Sequence, residues 1–323
     1  RSTLFPYTTL FRSGRRGILW GIMVLGVFVT FRMLDIADLT VDGSFALGGS
    51  VAAVVFVGLG LDPIVAILLG TLAGIVAGLV TGLLHVLFDI PAILAGILTQ
   101  ISLWSVNLRI MGKSNTPLLN ADTIFTRVAS LLNLTQTIAT LAIGIVLALV
   151  IIVAMYWFFG TEIGSALRAT GNNEDMCRAL GIDVRVTKVI ALALSNGLVG
   201  MSGALICQSQ KYADIGMGTG AIVIGLAAIV IGEVLGRLTP GKLTAFGSRL
   251  VSVVVGSVVY FIVRAVVLQM GLDANDMKLL SAAIVALALA TPVVLERHQL
   301  RRSYKRDNAA SALPDDTAKG GEH

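Results

Sequence analysis

Three carboxylates interrupt the first long apolar part of the chain. They lie in LDIADLTVDGSFALGG (34–49), between two apolar runs, and two of them are Asp38 and Asp42. A carboxylate inside a membrane is costly unless it lies near an interface, lines a water-filled path or pairs with another group. One interpretation is a broken helix that lines a path for a polar solute; the other is an ordinary cytoplasmic loop with a helix cap. The residues assigned to the path are Asp38, Asp42, Gly43 and Ser44.

The tripeptide Asp42-Gly43-Ser44 also predicts where the next helix begins. Asp42 or Ser44 is expected to cap that helix, because Asp and Ser are among the preferred N-cap residues. Gly43 is expected to permit the turn, since a residue without a Cβ adopts unusual backbone conformations at little steric cost. Irregular backbone at membrane depth is tolerated only where protein or water satisfies its polar groups.

A second informative stretch is TEIGSALRATGNNEDMCRALGIDVRVTK (161–188), which contains the pattern of a short helix. Asn172 is predicted to cap this helix. Glu174 and Asp175 then fall in its first turn, where the positive end of the helix dipole favours acidic side chains. The helix is predicted to end at Leu180.

The predicted short helix has a small apolar face made by Met176, Ala179 and Leu180, which are spaced by three and four residues. Gly181 follows at the position where a left-handed residue commonly ends a helix. The apolar face is too small to be stable by itself, so it is expected to dock. It either packs on the ends of the chain's own helices or fits a groove on a cytoplasmic partner.

Ionisable residues also occur within or near the ends of other apolar runs; they are Arg32, Arg109, Glu233, Arg249 and Arg264. Structural roles are the favoured interpretation for each. Glu233 and Arg249 are predicted to lie near the cytoplasmic ends of adjacent spans and to form an ion pair. No series of Asp, Glu and His follows any one span, which disfavours a proton-coupled carrier.

Sequence motifs for catalysis and metal binding are absent. The chain has no GxxxxGK[ST] phosphate loop, no HExxH motif and no Cys/His metal spacing. It also lacks the GxSxG nucleophile motif. The sequence therefore predicts a protein that is not an enzyme and that binds no metal and no cofactor of its own.

The composition predicts the fold class. Of 323 residues, 56% are hydrophobic and 13% are charged, and the mean hydropathy is +0.88. These values exclude a soluble enzyme, a secreted disulfide scaffold, a disordered chain and a nucleic-acid binder, and Cys177 and Cys207 are expected to be small apolar fillers. The prediction is an all-α polytopic membrane protein with about 8–10 transmembrane helices, one of them interrupted near 35–44. The candidate spans are 17–34, 44–61, 63–88, 90–111, 137–160, 188–208, 219–236, 243–268 and 278–295.

Lysine and arginine in the short loops predict the orientation of the chain. The stretch 161–188 and the residues after 295 are rich in both and are expected to be cytoplasmic. Four spans between them agree with that placement. Five spans before the stretch put the N-terminal end and the loop 112–136 outside. Arg15 and Arg16 favour a cytoplasmic N-terminal end instead. We follow the parity of the spans, which predicts that this end lies outside.

Both ends of the chain are set apart from the membrane domain at 14–296. Residues 1–13, RSTLFPYTTLFRS, have no helical apolar period and resemble translated sequencing-adapter DNA, so they are predicted to be non-native. Residues 297–323 are basic and then polar, which predicts a disordered cytoplasmic tail.

The run GTEIGSALRATGNNEDMCRALGIDVRVTKVIALALSNGLVGMSGAL resembles the coupling region of permease subunits of bacterial ABC importers. More narrowly, it is similar to the branched-chain amino-acid and ribose permease superfamily. The stretch FRMLDIADLTVDGSFALGG and the GEVLG at 232–236 resemble the tryptophan/tyrosine-type subgroup of that superfamily. The elements shared in the coupling region are Gly164, Arg168, Ala169, Asn172, Ala179, Gly181 and Ile182.

The resemblance implies a multi-pass protein of the bacterial inner membrane that forms half of a substrate pathway through the lipid bilayer. It implies three partners: a separate ATPase subunit that uses ATP, an extracytoplasmic substrate-binding protein, and a second permease copy, expected to make a homodimer. The short helix would then be a cytoplasmic coupling helix. The residues implied in ATPase coupling are Arg168, Gly171, Asn172, Asn173, Glu174, Asp175, Met176, Ala179, Leu180, Gly181 and Ile182. The substrate is expected to be an amino acid or a similar small polar solute; the alternative is a secondary transporter or facilitator that works alone.

Overall fold

The computed structural model describes residues 5–118, 122–133, 135–238 and 246–269, together with a few helical positions between 279 and 290. Too few positions of the predicted ninth span at 278–295 are described to test it as a span. The predicted tail at 297–323 lies outside the described residues. The backbone is helical from Phe5, so residues 5–12 extend the first helix beyond its predicted start. The non-native origin of residues 1–13 stays a prediction.

Eleven α-helices and two short strands make up the described part. The helices are α1 (Phe5–Phe28), α2 (Thr40–Val57), α3 (Pro63–Leu87), α4 (Ala92–Met111), α5 (Ile124–Leu131), α6 (Gln136–Gly160), α7 (Glu162–Asn172), α8 (Glu174–Ala179), α9 (Val184–Gln210), α10 (Ala221–Leu238) and α11 (Phe246–Gln269). The strands are β1 (Asn115–Pro117) and β2 (Tyr212–Asp214), which pair antiparallel.

Eight helical segments of the described part are long and apolar enough to cross a membrane. They correspond to the first eight predicted spans, so the polytopic all-α fold is confirmed. Two shorter helices, α5 and α7, were not predicted. Each has an N-cap threonine, Thr123 and Thr161, whose side chain accepts a hydrogen bond from the helix backbone.

Helix α9 lies at the centre of the bundle and packs closely on α2 and α3. Glycines make the approach possible: a Cβ at Gly48 would overlap the carbonyl of Gly200, and one at Gly74 would overlap the carbonyl of Asn196. Small residues of this kind allow membrane helices to pack backbone against backbone. Phe45, whose carbonyl lies against Gly203 of α9, is completely buried.

The outer helices expose their large apolar side chains. Leu72 on α3, Ile101 on α4 and Val150 on α6 are each more than half exposed. A soluble protein would bury most such residues. This is the pattern expected where lipid covers the outside of a helical bundle.

The bundle has two distinguishable ends, which α9 connects. Helix α9 begins next to α8 and ends next to β2, and its 27 residues span about 40 Å. The end with α7 and α8 is called the α8 end, and the end with β1 and β2 the hairpin end. Met33 contacts Gly171 at the α8 end, whereas Arg16 and Tyr212 line one cavity at the hairpin end. The stretches 112–118 and 161–188 therefore lie at opposite ends, as the span parity predicts.

Candidate functional site

The interruption predicted near 35–44 lies between two membrane-length helices, α1 and α2, and not within one helix; the prediction of an interrupted helix is wrong in this respect. A π-helical turn, Val29–Met33, follows α1, and residues 34–39 are irregular until α2 begins at Thr40. Asp35 has a φ of 55°, a left-handed conformation that is uncommon for residues other than glycine. The π-turn and the left-handed Asp35 follow each other closely, and together they redirect the chain between α1 and α2.

Asp38 connects this interruption to α9. Its side chain is buried, and its two carboxylate oxygens accept hydrogen bonds from the Thr40 backbone N–H at 2.9 Å and from Asn196 Nδ2 at 2.7 Å. Asn196 lies near the middle of α9 and is also completely buried. No ion pair of Asp38 occurs in the part of the chain that the structure describes. Hydrogen bonds therefore replace the water that burial removes from this carboxylate.

Asp42 caps a helix, but a different one from that predicted. It lies inside the first turn of α2, and its carboxylate accepts hydrogen bonds from the backbone N–H groups of Gly220 at 2.8 Å and Ile222 at 3.0 Å, at the start of α10. The N–H groups of a first helical turn lack intrahelical partners, and a carboxylate satisfies them well. The prediction that Asp42 or Ser44 caps α2 is wrong, because α2 begins earlier, at Thr40.

Gly43 and Ser44 are helical residues inside the bundle. The predicted turn at Gly43 is wrong; the absence of a side chain instead lets α2 approach Gln100 and Leu103 of α4, where a Cβ would lie 2.9 Å from Leu103 Cδ1. Ser44 is completely buried, and its hydroxyl has no hydrogen-bond partner among the described residues. Both residues pack between helices.

The short helix predicted in 161–188 is α8, and its cap is one residue later than predicted. Asn173, rather than Asn172, is the N-cap: its Oδ1 accepts a hydrogen bond from the Met176 N–H at 3.0 Å. Asn172 is instead the last residue of α7, a helix that the sequence analysis did not separate from α8. Gly181 has a φ of 79°, so the predicted left-handed residue at the end of the helix is confirmed.

One face of α8 is turned into the protein and the other is turned outward. Cys177 is completely buried, and Ile182 is half-buried beyond the helix end. Met176 and Leu180, which the apolar face was predicted to contain, are 50% and 69% exposed. The interpretation that this face packs on the chain's own helices is therefore wrong for the described residues. Glu174 fixes α8 to α9 through an ion pair with Lys188 at 2.6 Å.

Helix α7 connects α8 to the interruption. A Cβ at Gly171 would overlap the carbonyl oxygen of Met33, so α7 lies directly against the backbone of the π-turn. Arg168, on the same helix, stacks its guanidinium 5.5 Å from the ring centroid of Phe246 on α11. Two further residues implied in coupling, Asp175 and Ala179, are also exposed on α8.

Glu233 pairs with Arg32, not with Arg249. The Arg32 Nε and Nη2 atoms donate to the two Glu233 carboxylate oxygens at 2.6 and 2.9 Å, a two-bond geometry. The two residues are separated by 201 positions in the chain, and the π-turn brings Arg32 against α10. Arg249 is exposed and makes no ion pair with any described residue. The predicted Glu233–Arg249 pair is therefore wrong.

A cavity of about 730 Å³ opens at the hairpin end, between α1, α2, α10, α11, the end of α9 and β2; we call it the hairpin-end chamber. Its aromatic side chains are Trp20, Phe45, Phe261 and Tyr212, and its charged side chains are Arg16, Arg264 and Asp214. The sequence analysis assigned none of these residues to a site, since they come from four separate elements, α1, α2, β2 and α11. Gly220, whose N–H Asp42 holds, also lines it.

Metal binding finds no support in the described part. No group of three or more His, Cys, Asp and Glu side chains there is close enough to hold an ion. The two cysteines are buried and unpaired, in different helices.

Comparison with known proteins identifies the family. Residues 9–290 match the model of the branched-chain amino acid transport system permease component. The tyrosine transport system permease protein of Clostridioides difficile is 34% identical over 294 residues, which cover 91% of this chain and 92% of that protein. An uncharacterized protein of Rickettsia prowazekii is 30% identical, over 83% of this chain and 92% of its own length. The ribose import permease protein of Escherichia coli is 25% identical over 45% of this chain and 43% of its own.

No solved structure matches the chain. The family match covers far more than half of the residues, and it agrees with the eight apolar helices described above. The chain is thus a multi-pass protein of the bacterial inner membrane, and it belongs to the family of branched-chain amino acid transport system permease components, the membrane subunits of ABC-type transport systems for small solutes.

Proposed function

We propose that this chain is the membrane-spanning subunit of a binding-protein-dependent ABC importer for an amino acid or a similar small polar solute. Two copies would form the pathway, a separate ATPase subunit would hydrolyse ATP, and an extracytoplasmic binding protein would deliver the solute. The family supports the class of system. The relative named as a tyrosine transport permease supports an amino-acid solute.

The single observation that carries the proposal is the two-sided construction of α8. Cys177 is buried against the bundle while Met176 and Leu180 project outward, each at least half exposed. The acidic side chain of Asp175 lies beside them and is exposed. An exposed apolar pair beside a carboxylate fits a groove that is apolar inside and basic at its edge. An ATPase subunit would provide that groove.

A continuous series of contacts runs from α8 to the interrupted segment. Asn173 is both the C-cap of α7 and the N-cap of α8, so the two helices share a junction. Gly171 on α7 touches the Met33 carbonyl in the π-turn. The interruption that follows is held to α9 through Asp38 and to α10 through Asp42. A displacement of α8 by the ATPase would thus reach two central helices, as a rigid-body shift between discrete packings.

The decisive experiment replaces the outward face of α8. The double substitution Met176→Asp and Leu180→Asp should weaken ATPase binding by at least about tenfold, because both apolar contacts are lost. Leu131→Asp is the matched control, since Leu131 is 82% exposed on α5 at the other end of the protein. Both variants are purified with the ATPase subunit of the same importer, and ATP-dependent uptake is measured in proteoliposomes.

Two results would contradict the proposal. The first is ATPase binding by the α8 variant that equals the binding of the Leu131→Asp control. The second is solute uptake by this chain alone without ATP, which the stand-alone carrier hypothesis expects. Correct insertion of both variants is checked by their elution as single species in detergent.

A further inference from the structure

A cavity at the α8 end is lined by three arginines. It has a volume of about 470 Å³ and lies where the π-turn, α7 and the start of α11 meet; we call it the arginine cavity. Arg32 comes from the π-turn, Arg168 from α7 and Arg249 from α11. No acidic side chain of the described residues lines it. Because a cleft lined by charge of one sign concentrates ions of the opposite sign, the arginine cavity is suited to attract an anion.

The positive charge of the arginine cavity is only partly neutralised. Glu233 compensates Arg32 through the two-bond pair, and the Nη1 group of Arg32 takes no part in that pair. Neither Arg168 nor Arg249 forms an ion pair with a residue that the structure describes. The sequence around Arg249 contains no acid, since Asp and Glu are absent from 234–272. Both of these guanidinium groups therefore keep their charge available to a ligand.

Phe246 positions one of the two guanidinium groups. The central carbon of the Arg168 guanidinium lies 5.5 Å from the centroid of the Phe246 ring, and both residues line the cavity. Stacking uses the flat face of a guanidinium and leaves the N–H groups at its edge free to donate. The hydrogen bond from Arg168 Nη2 to Ser165 Oγ is 3.5 Å long and therefore weak. Arg168 thus presents oriented donors that are not yet well satisfied.

The arginine cavity lies at the level of the lipid headgroups. Arg32 is in the last turn of the first membrane-length segment, Ser13–Met33, and Arg249 is in the first turn of another, Phe246–Gln269. The content of lysine and arginine predicts that the α8 end faces the cytoplasm. The cytoplasmic leaflet of a membrane carries anionic lipids, and basic pockets between helices on that side bind phosphate headgroups.

The type of cation in the cavity indicates the type of anion. A planar guanidinium matches a phosphate group through two parallel hydrogen bonds, which a lysine ammonium does not do. We propose that the arginine cavity binds a phosphate group of net negative charge, held by Arg168 and Arg249 and by the Nη1 group of Arg32. The phosphate belongs either to the headgroup of an anionic membrane lipid or to a soluble phosphate compound. This inference goes beyond the proposed function and depends neither on the solute nor on the ATPase.

A phosphate in the arginine cavity would connect three elements of the protein. Gly171 and Met33, which touch each other, also line the cavity. Their contact holds α7 to the π-turn, whereas the start of α11 is a separate part of the wall. A phosphate bound by Arg168 and Arg249 links α7 to α11 beside that contact. The ligand therefore stabilises the observed packing at the α8 end.

Native mass spectrometry of the purified, delipidated chain tests this site. The probe is phosphatidylglycerol, an anionic phosphate diester, and the control lipid is phosphatidylcholine, in which a cationic group offsets the same diester. We expect saturable binding of phosphatidylglycerol, tighter by about tenfold than binding of phosphatidylcholine. Glycerol 3-phosphate is titrated in parallel. Binding of the lipid alone assigns the site to a headgroup, and displacement of the lipid by glycerol 3-phosphate at equal concentration assigns it to a soluble phosphate compound.

Substitutions then locate the bound phosphate. Arg249→Gln should weaken its binding by about tenfold, and Arg168→Gln/Arg249→Gln should weaken it further, because each change removes charge-assisted hydrogen bonds. Arg185→Gln is the matched control and should leave binding unchanged. Arg185 is exposed at the same end, forms no ion pair with a described residue and does not line the arginine cavity.

Three results would overturn the proposal. They are the absence of saturable binding of both phosphatidylglycerol and glycerol 3-phosphate, equal binding of the two lipids while glycerol 3-phosphate does not bind, and equal effects of Arg249→Gln and Arg185→Gln. An unchanged free energy of unfolding without lipid shows that each variant remains folded. The α8 experiment measures ATPase binding and this one measures phosphate binding, so either proposal can fail while the other stands.

Discussion

Asn196 donates a hydrogen bond of 2.7 Å to Asp38, across 158 positions of the chain and in a part of the bundle where both side chains are buried. The same amide nitrogen also donates to the Leu192 carbonyl at 3.0 Å, which fixes the orientation of the side chain within α9. The contact holds the irregular segment 34–39 to the central helix. A polar link at this depth is strong because no water competes for it.

Loss of the Asn196 amide should destabilise the protein. Asn196→Ala leaves the Asp38 carboxylate with one hydrogen bond fewer, and such bonds to charged groups contribute about 1.5–3 kcal/mol. Asn107→Ala is the control: Asn107 is as deeply buried, but its hydrogen bond to a described residue, the Gly43 carbonyl, is 3.5 Å long. Unfolding by sodium dodecyl sulfate in mixed micelles measures both. An equal decrease in the free energy of unfolding of the two variants would show that the bond to Asp38 adds no stability beyond that of an ordinary buried asparagine.

Removal of the Asp42 carboxylate should loosen the start of α10. Asp42→Ala removes the cap from Gly220 and Ile222, at a cost of about 0.5–2 kcal/mol, whereas Asp42→Asn should cost less because asparagine is also a good N-cap. Hydrogen exchange of the first turn of α10 should be faster in Asp42→Ala. If α2 rather than α10 exchanges faster, the cap has been assigned to the wrong helix.

A double-mutant cycle should find coupling between Arg32 and Glu233. Their side chains are 49% and 28% exposed, so the interaction is screened and about 0.2–1 kcal/mol is expected. The cycle uses Arg32→Gln and Glu233→Gln, with unfolding in mixed micelles as the measurement. A parallel cycle with Arg249→Gln should give no coupling to Glu233. Coupling to Arg249 that equals the coupling to Arg32 would refute the observed pairing.

An added methyl group at Gly171 should separate α7 from the π-turn. Gly171→Ala forces its Cβ against the Met33 carbonyl, and overpacking of this kind costs about 1–3 kcal/mol. ATP-dependent uptake should fall while ATPase binding is retained, because α8 itself is unchanged. The measurements are unfolding, ATPase co-purification and uptake in proteoliposomes.

Gly160→Ala is the control for that variant. Gly160 ends α6, and a Cβ there would meet no atom within 4 Å. Since alanine restricts the unfolded chain more than glycine does, this variant should be unchanged or slightly more stable. Uptake that survives in Gly171→Ala as well as in Gly160→Ala would remove α7 from the coupling route.

Features that depend on neighbouring positions in the chain were predictable. Apolar runs of membrane length predicted the first eight spans, because each span must satisfy its own backbone hydrogen bonds within one segment. The acidic first turn of α8 and the left-handed Gly181 were read from local preferences for caps and helix ends. The cap itself was misplaced by one residue, from Asn173 to Asn172, since either asparagine could serve.

Contacts between distant segments were not predictable, and they determine the candidate site. The sequence offers Glu233 two possible arginine partners, Arg32 and Arg249. Only the tertiary structure selects between them, because the π-turn directs Arg32 toward α10. Local capping preferences predict that Asp42 caps α2. Because α2 packs beside α10, its carboxylate instead accepts the hydrogen bond of the Gly220 N–H. The hairpin-end chamber is lined by residues of α1, α2, α9, β2, α10 and α11, which share no local sequence pattern. Its composition therefore follows from how these distant elements pack together.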